Sequence, residues 1–443
     1  MPLKSYGEMV RLEGPSGAGG EHARQPTGWG RKLQAYPELC ESDACKTIAE
    51  IYNPKETLYM VARVLMMVAL AGLVTSTLYL LLVGLAAVGF RRKRRPRAAT
   101  ELPPVTLLKP VCGIEPQLRD SLESFFRLDY PHFEIIFGAR TPDDPALAIV
   151  RQLMHTYPEV PVRVVASGAP LWPNPKCWSL AKMIDEARFD CLVISDSDVE
   201  IAPNYLRELI PPLLEPGVGC VTTIYRGKPT GGLWACLEAL GMSVEMTSGV
   251  LVANLLEGMK FALGPTMAVR REALERVGGF AEFANYCSDD FLLGKWIADA
   301  GYKVVLSSHV IDHIILHESL RQSAIHQSRW MKSTRYSRPK GHLGMALTFA
   351  MPYGVLGLLA GAAAGRPWLG VMILAATFLN RALLAVVAGW QAARDWRSLA
   401  YCWLYPLRDL MGFGFWLTSY LSDQIRWRGE RYRLEVGGRM VKV

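Results

Sequence analysis

Residues 191–198 read Cys-Leu-Val-Ile-Ser-Asp-Ser-Asp, and this stretch decides the fold of the segment around it. Four apolar, partly β-branched residues run into two carboxylates, which predicts a buried strand that ends at a loop. Asp196 and Asp198 are then expected to face one site, where Mg²⁺ or Mn²⁺ could complete its shell with water and the phosphates of a nucleotide diphosphate. The alternative is a structural turn that caps a helix predicted over residues 204–214.

Short apolar runs alternate with helical stretches before this motif. The predicted strands cover residues 105–108, 133–138 and 162–166, and the predicted helices cover residues 117–126 and 145–155. This alternation predicts a parallel α/β sheet with helices on both faces, in which ligands bind beyond the carboxyl ends of the strands. Asp143 and Asp144 follow the second strand, so we expect them at the same edge of the sheet as Asp196 and Asp198.

Apolar residues concentrate towards the two ends of this chain of 443 residues. Residues 64–90 are 27 consecutive residues without a charge, more than the ~20 that cross a bilayer as a helix. We therefore predict a transmembrane anchor over residues 58–90. The basic run that follows, residues 91–97, predicts a cytoplasmic location for the chain after it and an extracytoplasmic location for residues 1–57.

Three further segments are candidates for the membrane: residues 343–361, 368–390 and 398–421. Asn380-Arg381 and Arg408-Asp409 lie inside two of them. Charges at that depth are costly and normally face protein or water, so we expect these segments to line an acceptor route or to re-enter the membrane. An even number of crossings would keep the basic residues 426–443 in the cytoplasm.

The predicted organisation has five parts. They are a disordered tail (1–57), the anchor (58–90), a cytoplasmic catalytic domain (91–340), membrane segments (341–425) and a basic cytoplasmic tail (426–443). Within the catalytic domain, Glu238 and Glu245 interrupt the apolar residues 231–256, which favours a helix at the membrane interface or one that covers the domain over a span. The net charge of +8 is close to what residues 91–97 supply, so it does not indicate nucleic-acid binding.

Cysteines and histidines give weaker signals. The nine cysteines show no paired metal-ligand spacing, and only Cys40 and Cys45 lie in the predicted extracytoplasmic part, as a disulfide or as two free thiols. His309, His313 and His317 have the spacing of a helical metal site, but their surroundings are typical of a strand, which argues against metal binding there.

A second acidic pair, Asp289-Asp290, precedes an apolar helix predicted over residues 291–300. In the structural interpretation, this pair caps the helix. In the functional interpretation, it places a carboxylate at the mouth of the ligand-binding crevice beyond the strand ends. We expect Asp289 to cap or to orient its neighbour.

Together these motifs resemble those of membrane-bound family 2-type glycosyltransferases, and within them ceramide glucosyltransferase of family 21. The segments that carry the resemblance are Leu107-Leu108-Lys109-Pro110, Asp143-Asp144-Pro145-Ala146, Asn174-Pro175-Lys176, Asp196, Asp290, and Arg329-Trp330 of the Q/R-x-x-R-W signature. Two residues depart from the family pattern: His326 stands at the leading position of the signature, and Asp198 adds a second acid. The second departure is similar to the bacterial branch associated with hopanoid biosynthesis.

The resemblance implies a GT-A (Rossmann-like) fold and a role for each motif residue. Asp144 would hold the uracil or ribose of a UDP-sugar, and Asp196 and Asp198 would bind Mg²⁺ or Mn²⁺ at the diphosphate. Asp290 would be the general base of a single inverting displacement. The remaining roles are a diphosphate clamp for Arg329, acceptor packing for Trp330 and a further positive charge for Lys176.

The implied reaction transfers glucose or an N-acetylglucosamine-type sugar to the hydroxyl of a membrane lipid, ceramide or a hopanoid, at the inner (plasma) membrane. Alternatives are N-acetylglucosamine transfer to a hopanoid specifically, a membrane polysaccharide synthase, and a non-catalytic membrane scaffold whose acids are structural caps. No nucleic-acid partner is implied.

Overall fold

The computed structural model describes residues 54–92, 102–316, 319–427 and 429–443. The predictions for residues 1–53, for the basic run beyond Arg92, for His317 and for Arg428 lie outside the described residues. Residues 59–443 form one compact unit.

An eight-stranded sheet forms the centre of this unit. Its strands are β1 (Val105–Pro110), β2 (Phe133–Ala139), β3 (Val162–Ala166), β4 (Cys191–Ser195), β5 (Val199–Glu200), β6 (Val218–Pro229), β7 (Thr266–Arg270) and β8 (Lys303–Ile315). Their spatial order is β3-β2-β1-β4-β7-β6-β8-β5. The central residues of β1, β2 and β4 are fully buried, as near-continuous apolar runs predict.

The sheet is mixed. β1 to β4 pair in parallel, and so do β6 and β8, whereas β7 runs antiparallel to β4 and β6, and β5 antiparallel to β8. The prediction of a parallel sheet therefore holds for the first four strands and is wrong for β5 and β7. The reason for β7 is its point of entry: Thr266, its first residue, pairs with Ser195, the last residue of β4. The chain thus reaches β7 from the acid-lined edge of the sheet and must run away from it.

The helices, in chain order, are α1 (Pro54–Arg92), α2 (Leu118–Phe126), α3 (Pro145–Thr156), α4 (Pro175–Ile184), α5 (Tyr205–Leu213), α6 (Gly232–Gly241), α7 (Thr247–Glu257), α8 (Arg271–Arg276), α9 (Asp289–Asp299), α10 (Leu320–Ser337), α11 (Pro339–Gly344), α12 (Met351–Ala363), α13 (Pro367–Leu384), α14 (Trp396–Ala400) and α15 (Tyr405–Thr418). α6 and α7 join through a π-helical turn, Met242–Met246, and a second π-helical stretch, Ala385–Ala392, extends α13. α2 and α3 begin within one residue of their predicted starts.

Among the described residues, three helices are long and apolar enough to cross a membrane: residues 56–92, 232–257 and 367–392. α11 and α12, with the short turn between them, make a fourth candidate bent by 43°. Residues 232–257 are thus long and apolar enough for a span, although their sequence favoured an interfacial or domain-covering helix. Of their most apolar 18 residues 61% are buried against protein, compared with 17% for α1. The predicted segment 398–421 is broken into α14, a 3₁₀ turn and α15.

The charged residues within the apolar C-terminal helices face protein. Arg381 Nη1 lies 3.2 Å from Asp409 Oδ1, and both side chains are almost fully buried. Asp409 Oδ2 also accepts hydrogen bonds from the backbone N–H groups of residues 350 and 351, at the start of α12. Arg408 Nη2 pairs with Glu245 Oε2 at 2.9 Å. These pairs tie α13 and α15 to α12 and to the π-helical turn.

A small antiparallel sheet follows α15 and touches the loop before α9. Its strands are β9 (Gln424–Trp427), β10 (Glu430–Leu434) and β11 (Met440–Lys442), in the order β11-β10-β9. The Met440 N–H donates to the Asn285 carbonyl at 2.7 Å, and the Cys287 N–H donates to the Gly438 carbonyl at 3.2 Å. The predicted basic tail is therefore a folded element that holds this loop.

Candidate active site

Asp196 and Asp198 lie directly after β4, at the predicted edge of the sheet. Asp196 Oδ1 is 2.6 Å from Lys176 Nζ, and the Asp196 carbonyl accepts a hydrogen bond from Lys109 Nζ at 2.6 Å. Burial raises the pKa of Asp196, and the charge of Lys176 opposes that shift. Both aspartate side chains remain about 30% exposed, which leaves them open to a ligand.

Lys176 connects this loop to the second acidic pair. Asn174 caps α4 by accepting hydrogen bonds from the N–H groups of Lys176 and Cys177, and Asn174 Nδ2 donates to Asp289 Oδ1 at 3.1 Å. Lys176 Nζ is 3.9 Å from Asp289 Oδ2. Burial opposes the charge of Lys176, but Asp196 and Asp289 outweigh it and raise the pKa of Lys176. Asp289 therefore contacts both Asn174 and Lys176.

Asp290 occupies the second position of α9, because the helix begins at Asp289, two residues before its predicted start. It packs against Gly264, where an added Cβ atom would come within 2.8 Å of Asp290 Oδ2. Burial and the adjacent charge of Asp289 raise the pKa of Asp290 to about 6, against the effect of Lys176. A carboxyl group with this pKa can accept a proton near neutral pH.

Asp198 and His313 form a pair that suits a divalent cation. His313 Nε2 lies 3.5 Å from Asp198 Oδ2. Asp198 Oδ1 and His313 Nδ1 are buried, and in the described part of the chain neither has a hydrogen-bond partner. A buried carboxylate oxygen without a donor is costly, and a cation would remove that cost. The residues present therefore fit Mg²⁺ or Mn²⁺ better at Asp198 and His313 than at Asp196 Oδ1, which Lys176 occupies.

This cation site would be completed by non-protein ligands. Within the described residues, no group of three His, Cys, Asp or Glu side chains could hold a metal ion. A two-residue set leaves most of the coordination shell to water and phosphate oxygens, an arrangement that suits Mg²⁺ and Mn²⁺.

Asp144 caps α3, as the structural interpretation of its sequence predicts. Its Oδ1 accepts hydrogen bonds from the N–H groups of Ala146 and Gly113, both at 2.9 Å. The second contact fixes the loop between β1 and α2. In the described part of the structure Asp144 Oδ2 accepts no hydrogen bond, so this oxygen can accept one from a ligand.

Trp330 and His326 lie on the inner face of α10. His326 Nδ1 is 2.7 Å from Glu238 Oε1, and the His326 ring lies 4.5 Å from the Trp330 ring. Trp330 stands edge-on to His313, with 6.4 Å between the ring centroids. Contacts therefore run from the buried Glu238 of α6 through α10 to the cation site.

Arg329 projects from a neighbouring face of α10. It lines a surface groove between α10 and β9 and lies beside Cys287, two residues before Asp289. Burial raises the pKa of the Cys287 thiol, and the positive charge of Arg329 opposes that shift. Arg329 is thus near the second acidic pair, whereas Trp330 is near His313.

Sequence reasoning missed two residues of the crevice, Lys109 and His313. Lys109 is fully buried at the end of β1, with Nζ 3.6 Å from the centroid of the Phe125 ring. Burial lowers the pKa of Lys109 to about 7, against the pull of Asp198 and Asp196. A lysine inside an apolar strand was the available signal for Lys109. For His313, the four-residue histidine spacing suggested a metal site on a helix. The structure instead places His313 on strand β8, next to Asp198.

The crevice thus combines two carboxylates after β4, two lysines, a carboxyl group with a raised pKa and a candidate cation site. This combination is suited to binding an anionic group and to accepting a proton, as in enzymes of group transfer.

Comparison with known proteins identifies the family. The model of glycosyl transferase family 21 matches residues 64–440, so the chain belongs to that family and is a hexosyltransferase with a GT-A fold. It is similar to ceramide glucosyltransferase 1 of Caenorhabditis elegans, with 23% identity over 91% of this chain and 88% of that protein. Ceramide glucosyltransferase of Komagataella phaffii is 32% identical over 30% of this chain and 29% of that one.

Among solved structures, the chain is similar to the Pyrobaculum calidifontis mannosyltransferase PcManGT in complex with GDP-mannose and Mn²⁺. It covers 78% of this chain and 98% of its own, with a TM-score of 0.45 and 20% identity. Candidate membrane helices and ceramide glucosyltransferase relatives together indicate that this chain is a membrane protein.

Proposed function

We propose that this protein transfers a hexose or N-acetylhexosamine from a UDP-sugar to the hydroxyl of a membrane lipid, with inversion at the anomeric carbon. The observation that carries the proposal is the bridge made by Lys176 Nζ, 2.6 Å from Asp196 and 3.9 Å from Asp289. This bridge joins the loop suited to a diphosphate to the loop that carries Asp290. A donor phosphate and an acceptor hydroxyl could therefore meet in one crevice.

The donor half of the crevice lies along the ends of β1, β2 and β4. Asp144 would accept hydrogen bonds from the base or ribose through Oδ2. Lys109 and Lys176 supply positive charge beside the diphosphate. Mg²⁺ or Mn²⁺ held by Asp198 and His313 would neutralise negative charge on the departing UDP.

The acceptor half lies at the start of α9. Asp290 would take the proton of the acceptor hydroxyl as that oxygen attacks the anomeric carbon from the face opposite UDP. One base acting on one acceptor corresponds to a single displacement, which inverts the configuration. Arg329 and Trp330 would then bind and orient the acceptor or the leaving diphosphate from α10.

The acceptor class is supported by the curated relatives, which are named as ceramide glucosyltransferases. Ceramide and a hopanoid both present a hydroxyl near the headgroup depth of a membrane. The candidate spans before and after the sheet would hold the crevice at that depth, and the basic residues after α1 favour the cytoplasmic side of the inner membrane.

A transfer assay tests the proposal. Purified protein in detergent, with Mn²⁺ or Mg²⁺, is given labelled UDP-sugars and either ceramide or a hopanoid polyol. We expect a metal-dependent labelled lipid that Asp290→Asn reduces by about 10²-fold or more, the lower range of general-base contributions. Asp299→Asn, at the opposite end of α9, is the matched control and should remain active. No turnover with any UDP-sugar from folded wild-type protein would overturn the proposal.

A further inference from the structure

A basic groove lies on a face of α10 next to the face that carries His326 and Trp330. Its cavity, about 350 Å³ in volume, lies between α10 and β9. Four cationic side chains line it: Arg321, Arg329 and Lys332 from α10, and Arg426 from β9. No carboxylate is among the lining residues.

Among the described residues these four cations make no ion pair with a carboxylate, although the charge of Asp423 acts on Lys332. Within the described residues, none of the four lies within 4.0 Å of a carboxylate oxygen, although most other buried or half-buried arginines in this chain do. Lys332 Nζ donates to the Gln424 carbonyl at 2.8 Å, which fixes it at the floor of the groove. The mutual repulsion of four like charges makes the groove a site for an anion.

Apolar side chains share the lining with these charges. Ile325 of α10 is 54% exposed, and Ile425 of β9 is buried beneath the groove. A free inorganic anion would gain nothing from such a surface. A phosphate group attached to an apolar chain would satisfy both parts of it.

Both walls of the groove continue into the apolar part of the molecule. α10 ends at Ser337, and the bent pair α11 and α12 begins two residues later. β9 begins six residues after α15, and Arg335 Nη1 donates to the Ser419 carbonyl at 2.6 Å between them. The groove therefore lies close to the candidate membrane helices.

We propose that this groove, defined by Arg321, Lys332, Arg426 and Ile325, binds the headgroup of an anionic membrane phospholipid. The phosphodiester pairs with the arginines and the lysine, and the glycerol and upper acyl chain cover Ile325. The bound lipid holds the outer face of α10 at the membrane surface. His326 and Trp330 lie on the inner face of the same helix, and Arg329 is the lining residue that the groove shares with the proposed transfer site.

Lipid retention tests this inference without any need for turnover. The full chain is reconstituted in nanodiscs of phosphatidylcholine containing phosphatidylglycerol, extracted in detergent, and the retained phosphatidylglycerol per protein is measured by native mass spectrometry. R321Q/R426Q removes two exposed charges of the groove. R276Q/K303Q removes two exposed charges elsewhere and is the matched control.

We expect wild type and R276Q/K303Q to retain phosphatidylglycerol, and R321Q/R426Q to bind it on the order of tenfold more weakly, since each basic side chain near an anionic surface contributes substantially. Equal retention by R321Q/R426Q and wild type would overturn the inference. So would an equal loss in the control pair, or displacement of the lipid by millimolar inorganic phosphate. Because binding is measured directly, failure of the proposed transfer reaction would leave this result unaffected.

Discussion

Asp290 illustrates how position and charge together set the chemistry of one side chain. It lies at the second position of α9, against Gly264 and beside Asp289. A general base is active only in its ionised form, so activity is lost as the pH falls below its pKa. A raised pKa therefore brings this loss closer to neutral pH.

We predict that kcat/KM for transfer rises with pH up to about 6 and then levels off, with about a tenfold loss per pH unit on the acid side. Asp289→Asn should move this limb to lower pH, because the charge of Asp289 helps to raise the pKa of Asp290. The measurement is a pH profile with a soluble short-chain acceptor at saturating metal. A profile that is flat from pH 5 to 7 would contradict the assignment of Asp290 as the base.

His326 stands where the family signature has Gln or Arg, and it contacts Glu238 and Trp330. We predict that His326→Ala lowers kcat/KM by about two- to tenfold, because the loss of a ring contact of this kind is worth ~0.5–1.5 kcal/mol. His326→Gln should recover much of the activity, since its amide can still hydrogen-bond Glu238. Steady-state kinetics with both variants provide the measurement. If the glutamine variant were as impaired as the alanine variant, a role in positioning Trp330 would be wrong.

At the scale of elements, α4 depends on one buried side chain. Asn174 accepts from the N–H groups of residues 176 and 177 and donates to the carbonyl of Tyr286 and to Asp289. It therefore holds both the start of α4 and the loop that precedes α9.

We predict that Asn174→Ala lowers the free energy of unfolding by about 1–2 kcal/mol, the usual cost of losing a helix cap. It should also lower kcat, because Lys176 and Asp289 lose their shared support. Asn204→Ala is a suitable control, since Asn204 precedes α5 without a side-chain cap hydrogen bond. Denaturant unfolding and transfer rates are measured together. Unchanged stability in Asn174→Ala would show that the cap contributes little.

Much of this architecture could be predicted from local sequence. The strands β1 to β4 match their predicted positions because each is a short apolar run bounded by turn residues. The rule that ligands bind at strand ends selects Asp144 and Asp196 as candidate site residues. The antiparallel course of β7 could not be predicted, since it depends on where the chain returns after α7. The pairing of Asp198 with His313 likewise depends on the register of β8, which no local pattern specifies.

At the scale of the whole molecule, the buried pair Arg381–Asp409 joins α12, α13 and α15. Asp409 receives three hydrogen bonds, one from Arg381 and two from the backbone at the start of α12. Removing one partner would leave the other charge buried without compensation.

We predict that Asp409→Ala destabilises the protein by about 3–5 kcal/mol, the range for breaking a buried ion pair. The double variant Arg381→Met/Asp409→Leu should be less destabilised than Asp409→Ala, because it leaves no unpaired charge. Thermal unfolding in detergent measures both. If the double variant unfolded at a lower temperature than the single one, uncompensated charge would not be the cause.

The loop before α9, which leads into the acidic pair, is hydrogen-bonded to residues that are synthesised much later. Residues 285 and 287 bond to residues 440 and 438, which emerge from the ribosome after all the apolar C-terminal helices. At ordinary elongation rates this delay is on the order of ten seconds. During that interval Asn174 can hold the loop before α9, but the loop lacks its two backbone hydrogen bonds to residues 438 and 440. The loop before α9 therefore completes its backbone hydrogen bonds only after the apolar C-terminal helices have been synthesised.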